Sequence, residues 1–129
     1  MNQLYGKSNT IRMDKLFLLK PSFADTNLDE NRVFYCPSCA AIEGVLSYYS
    51  HLRQKLEVVY VDFPRPRKEI VDLIGEAHQG CPVLVMDEAR AGVQLMDFIK
   101  EANGKQFINA TEGIMQYLAV AYGIGYPHP

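Results

Sequence analysis

Phe34-Tyr35-Cys36-Pro37-Ser38-Cys39-Ala40 is the stretch around which the rest of the chain is organised. Pro37 suits the first position of a helix, where its fixed φ is already helical and its missing N–H leaves no bond unmade. Cys36 is then the helix cap. The partial positive charge and free N–H groups at a helix N-terminus favour a thiolate, which makes Cys36 the candidate nucleophile. Cys39 lies about one turn further on, near enough to reach back and resolve a mixed disulfide or close an internal one. Cys36 and Cys39 are therefore the candidate catalytic pair, and their spacing suits two-electron thiol–disulfide chemistry.

Working outward, Lys15-Leu16-Phe17-Leu18-Leu19-Lys20 is apolar on both faces and stops at Pro21, as expected of a central strand. Pro21 to Tyr35 is read as a polar connection. Its Asp25-Thr26-Asn27-Leu28-Asp29-Glu30-Asn31 superficially resembles a calcium loop, but Glu30 stands where such a loop needs Gly and Cys36 where it needs Glu. The stripe Ile42, Val45, Leu46 and Tyr49 predicts an amphipathic helix from Pro37 to about Leu52. Leu56 to Asp62 predicts a second strand. A second helix is expected from about Arg67 to His78 on the spacing of Ile70, Leu73, Ile74 and Ala77.

Pro82 opens a third strand that runs to Asp87, since proline is tolerated at a strand's first position but not in its middle. Between Glu88 and Asn103 the spacing of Leu95, Phe98, Ile99 and Ala102 predicts an inserted short helix that stops at Asn103-Gly104. Lys105 to Ile108 is the fourth strand. Asn109-Ala110-Thr111-Glu112 has capping-box spacing ahead of a last helix striped by Ile114, Tyr117, Leu118 and Ala121 and ended by Gly123. The expected organisation is a flexible arm over residues 1–14 and a single domain over 15–129.

A net formal charge of −2 with interspersed signs gives no footprint for nucleic acid or for an anionic membrane. No signal peptide and no membrane span are read in the chain. Three cysteines are too few for a disulfide scaffold, which favours a reducing cytoplasm.

The order of elements, with Cys36-Pro37-Ser38-Cys39 starting a helix and a proline opening a later strand, resembles the thioredoxin-like fold. The closest branch is the glutaredoxins, whose Cys-Pro-x-Cys pattern this chain matches. The resemblance implies an α/β fold with a mixed four-stranded sheet flanked by helices, the extra helix lying between strands three and four. It also implies a cis bond at Cys81–Pro82. The terminal stretch is similar to the N-terminal domain of glutathione transferases: Ile114-Met115-Gln116-Tyr117-Leu118 matches half of that motif, and Thr111 stands at its serine position. Residues 15–129 further resemble a bacterial family of small thioredoxin-like proteins known only as a domain of unknown function, through the Cys36 stretch, Ile42-Glu43-Gly44, Arg65-Pro66-Arg67, Gly80-Cys81-Pro82-Val83-Leu84-Val85 and Pro127-His128-Pro129.

What the resemblance implies is a glutaredoxin-like thiol–disulfide oxidoreductase acting on glutathione or a protein disulfide. Tyr35, Pro37, Ser38, Cys81, Pro82 and Thr111 would line the substrate or glutathione site. No resident cofactor and no metal site are expected, glutathione being a candidate co-substrate; a homodimer remains open. Cys81 would lie against the pair as an alternative resolving thiol, as a third ligand to zinc or an iron–sulfur centre, or as a small buried hydrophobe. The alternative function is a non-catalytic binding module, holding a metal centre through Cys36, Cys39 and Cys81 or a partner protein through the inserted helix. Glu43 is read as solvent-facing or as a base for Cys39. Arg65 and Arg67 are read as a solvated turn, or else as a bidentate carboxylate clamp. His51 and His78 are read as helix-end residues.

Overall fold

A computed structural model describes residues 13–88 and 97–129. Leu16, Phe17 and Leu18 of β1 (Lys15–Leu19) are all buried, because β1 lies inside a sheet covered on both faces. β1 pairs in parallel with β4 (Glu57–Val61), Phe17 opposite Val59, and antiparallel with β5 (Val83–Val85), Phe17 opposite Val83. β7 (Lys105–Ile108) lies antiparallel to β5 and β6 (Lys100–Ala102) antiparallel to β7, so the order is β4-β1-β5-β7-β6. The sheet has five strands rather than the expected four.

Side-chain alternation along β1 divides the core. Leu16 and Leu18 face α1 (Pro37–Tyr48) and α3 (Thr111–Tyr122), packing with Ile42, Leu46, Ile114, Tyr117 and Leu118. Phe17 faces the other way, joining Val61, Val83, Val85 and Phe107 against Ile70 and Ile74 of α2 (Lys68–Ile74). Helices thus cover both faces. Among the described residues no helix is long and apolar enough to cross a membrane.

Several sequence expectations are corrected. The connection after Pro21 is a two-stranded hairpin, β2 (Phe23–Asp25) and β3 (Asp29–Phe34), separate from the main sheet. Its acidic residues shape the turn: Leu28 N–H donates to the Asp25 carbonyl at 2.9 Å and Asn31 N–H to Asp29 Oδ1 at 2.8 Å. The Phe23 ring stacks on Phe63, centroids 4.4 Å apart, which ties the hairpin to the segment after β4. The first helix stops at Tyr48 and gives way to a 3-10 helix, Ser50–Gln54, which contains His51. The second stops at Ile74 because Gly75 takes a φ of +89°; His78 lies beyond it, its ring 4.8 Å from that of Phe107.

The inserted helix is not formed over 97–103: Lys100–Ala102 is β6, and Asn103 and Gly104 are the two positive-φ residues of a tight hairpin. Leu95 and the rest of 89–96 lie outside the described residues. The capping box before α3 is not made. Ala110 is the cap without a side-chain bond, and Glu112 instead accepts from Gln116 at 3.1 Å.

Asp14, assigned by sequence to the arm, is only 1% exposed. Its carboxylate accepts the Tyr117 hydroxyl at 2.5 Å, the Tyr122 hydroxyl at 2.6 Å and the Asp87 N–H at 3.0 Å. The ordered domain therefore includes Asp14.

Candidate functional site

Cys36 caps α1 in extended geometry, with φ −86° and ψ 113°, and Pro37 follows at the first helical position. Its Sγ accepts the Cys39 N–H at 3.1 Å, so the sulfur occupies the place of an oxygen in an ordinary cap. Cys39 is 5% exposed, and its Sγ receives the Leu19 N–H from the end of β1 at 3.4 Å. Burial, aided by the hydrogen bond with Cys36, pushes the Cys39 thiol up to about 12; the Leu19 N–H works against it. The first sulfur is half-buried and the second is shielded.

Cys81 and Pro82 approach this pair from the start of β5. The bond between them is cis, as expected, and so is that of Arg65–Pro66. The Cys81 carbonyl accepts the Cys36 S–H at a sulfur–oxygen distance of 3.8 Å. Burial pushes the Cys81 thiol up to about 11, and the neighbouring Arg67 guanidinium draws it down. Among the described residues, no three His, Cys, Asp or Glu side chains form a group that could hold a metal ion.

On another side of Cys36 a cavity of about 400 Å³ opens to solvent. Leu18, Leu19, Pro21, Tyr35 and Ala40 give it apolar walls, and both Cys36 and Cys39 line it. Glu43 and Tyr60 form its polar rim and Arg53 braces them from behind; sequence reasoning singled out Glu43 but missed Tyr60 and Arg53. Glu43 accepts the Tyr60 hydroxyl at 2.8 Å and Arg53 Nη2 at 2.5 Å, while Arg53 Nη1 donates to the Tyr60 oxygen at 3.1 Å. Burial raises the Tyr60 phenol against the pull of Arg53, whose own charge is favoured chiefly by its bond to Tyr60. Both Glu43 oxygens are thus engaged, which makes Glu43 an anchored wall of the cavity. Glu43 and Tyr60 sit on α1 and β4, and only their tertiary pairing brings them together.

Of the residues implicated by sequence, Tyr35, Cys36 and Cys39 share the cavity, while Cys81 meets Cys36 through its carbonyl. Pro37, Ser38, Pro82 and Thr111 do not line the cavity. Pro37 and Ser38 are exposed on the first turn of α1, Pro82 is buried, and Thr111 begins α3. Arg67, read as part of a solvated turn, is 6% exposed. Its guanidinium donates to the Phe63 carbonyl at 3.0 and 2.6 Å and to the Gln79 carbonyl at 2.7 Å, and stands 5.5 Å from the Phe63 ring centroid. No local pattern marks such a residue, because its burial depends on how the turn at Phe63 and the segment at Gln79 fold around it.

A family model described as "Protein of unknown function (DUF3088)" matches residues 13–126. The chain belongs to the DUF3088 family. The DUF3088 match begins one residue before Asp14 and spans all three cysteines, Glu43, Arg53, Tyr60 and Arg67. Searches of curated proteins and of solved structures found no match.

Proposed function

We propose that this DUF3088 chain is a thioredoxin-like, glutaredoxin-like thiol–disulfide oxidoreductase working in a reducing cytoplasm. The observation that carries the reading is the pairing of a half-buried Cys36 sulfur, capped by the Cys39 N–H and open to a cavity, with a shielded Cys39 one turn behind it. The sheet order supports the same reading, since β1 runs parallel to β4 and antiparallel to β5 with α1 in the crossover.

In this reading the Cys36 thiolate attacks one sulfur of a substrate disulfide. The S–S bond breaks, one substrate sulfur leaves as thiolate, and Cys36 holds the other in a mixed disulfide. The Cys39 N–H donates to the Cys36 sulfur, holding it at the start of α1. Cys39 stays protonated during the first step because burial disfavours its charge. It then attacks Cys36 Sγ and expels the second substrate thiolate, which takes up the Cys39 proton. The two thiols have supplied two electrons, and a Cys36–Cys39 disulfide remains. A second thiol compound, such as glutathione or a protein dithiol, returns the pair to the reduced state. The positively polarised start of α3 at Thr111 suits a carboxylate of such a partner.

The test is a titration in defined thiol buffers, with free thiols alkylated and counted by intact mass. One two-thiol transition is expected, at roughly −120 to −270 mV, and Cys36→Ser should abolish it along with disulfide reductase activity. Undiminished reductase activity in Cys36→Ser would refute the assignment.

A further inference from the structure

We propose that Cys81 is a second resolving thiol for Cys36, held for that role by the buried Arg67; this rests on the oxidoreductase reading above. The main chain of residue 81 lies directly against the nucleophile, its carbonyl 3.8 Å from Cys36 Sγ. The three sulfurs sense one another: charge on Cys36 disfavours charge on Cys81, and charge on Cys81 disfavours charge on Cys39.

Arg67 gives the third thiol its chemistry. Arg67 is 6% exposed, and its guanidinium donates to the carbonyls of Phe63 and Gln79, stands over the Phe63 ring and lies beside the Cys81 thiol. Two carbonyls satisfy N–H groups without neutralising the charge. Cys81 is the acidic side chain set against that charge, and Arg67 works against the burial of its thiol.

The step balances as ordinary exchange. With Cys36 in a mixed disulfide, the Cys81 thiolate attacks Cys36 Sγ, and the bond from Cys36 to the substrate sulfur breaks. The substrate leaves as thiolate and takes up the proton lost by Cys81, while Cys36 and Cys81 supply the two electrons and end as a disulfide. Cys39 reopens that bond by attacking Cys36 Sγ, which returns Cys81 to the thiol and yields the Cys36–Cys39 disulfide. Cys81 thus keeps the nucleophile from being stranded on a bulky substrate.

The experiment treats wild type, Cys39→Ser, Cys39→Ala, Cys81→Ser and the Cys39→Ser/Cys81→Ser double variant with glutathione disulfide, then maps disulfides by peptide mass. The single Cys39 variants should still lose two thiols together and yield a Cys36–Cys81 peptide. The double variant should stop at a Cys36–glutathione adduct. Arg67→Gln in the Cys39→Ser background should slow closure at least tenfold, with partial rescue by Arg67→Lys. If Cys39→Ser and Cys39→Ala, both folded by circular dichroism, stop at the Cys36–glutathione adduct with Cys81 alkylatable, Cys81 is not a resolving thiol, and the wild-type pair is unaffected. If wild type shows no two-thiol transition, the oxidoreductase reading falls and this inference with it.

Discussion

Alkaline pH should destabilise the folded protein through Cys39 in particular. Burial lifts this thiol from an ordinary value of 9.0 to about 12. Between those two values the unfolded chain has lost the proton and the folded chain keeps it, so stability falls as pH rises. The contribution is fully present below pH 9 and is gone above pH 12. At about pH 10.5 the loss is some 1.5 pH units of a 3-unit gap, or roughly 2 kcal/mol at about 1.36 kcal/mol per unit. Urea unfolding in excess reductant, followed by circular dichroism at about pH 8 and about pH 10.5, measures it directly. The midpoint of wild type should drop by about 1 M more than that of Cys39→Ala over the same interval. Cys39→Ala starts lower because it loses a packed sulfur, so the difference in slope is the readout. Parallel decline of the two proteins would refute the claim that a protonated, buried Cys39 is part of the folded state.

Asp14→Ala removes an acceptor shared by two phenols and a backbone N–H and should cost about 1–3 kcal/mol; a loss under about 0.5 kcal/mol in chemical denaturation would contradict the burial of Asp14. At Gly113 an added Cβ would stand 2.6 Å from Phe98 Cγ, so the ring must leave its seat on α3. Gly113→Ala should destabilise by about 1–3 kcal/mol in wild type but stabilise by about 1 kcal/mol in a Phe98→Ala background, where only helix propensity remains. The same sign in both backgrounds of this double-mutant cycle would show that the ring does not rest on Gly113.

What could be read from the chain alone is what local physics decides. Cys36, Pro37 and Cys39 lie within one helical turn, so the cap was legible from residue type and spacing. The doubly apolar run at Leu16–Leu18 marked a central strand because no edge strand needs both faces buried. The hairpin at Phe23–Phe34 was not legible: its exposed strands carry a polar pattern, and its anchor is a ring stack on Phe63 across the fold. Asn103-Gly104 ends helices and turns hairpins equally well, and the pairing of Lys100–Ala102 with β7 decides between them. Arg67 and Asp14 misled for a shared reason. Charge predicts exposure until folding supplies polar partners: for Arg67 the carbonyls at 63 and 79 on either side of it, for Asp14 the phenols at 117 and 122.

The Asp14 carboxylate also sets a timetable for biosynthesis. Its phenolic partners lie 103 and 108 residues downstream, and β1 next to it draws its antiparallel neighbour from residues 83–85. As the chain leaves the ribosome, β1 emerges early but its carboxylate anchor stays open until α3 has cleared the tunnel. α1 and β4 can begin to pack on β1 during synthesis. Closure around Asp14 waits for Tyr117 and Tyr122, so a nascent chain stalled ahead of Tyr117 leaves open an acidic residue that the folded protein seals inside.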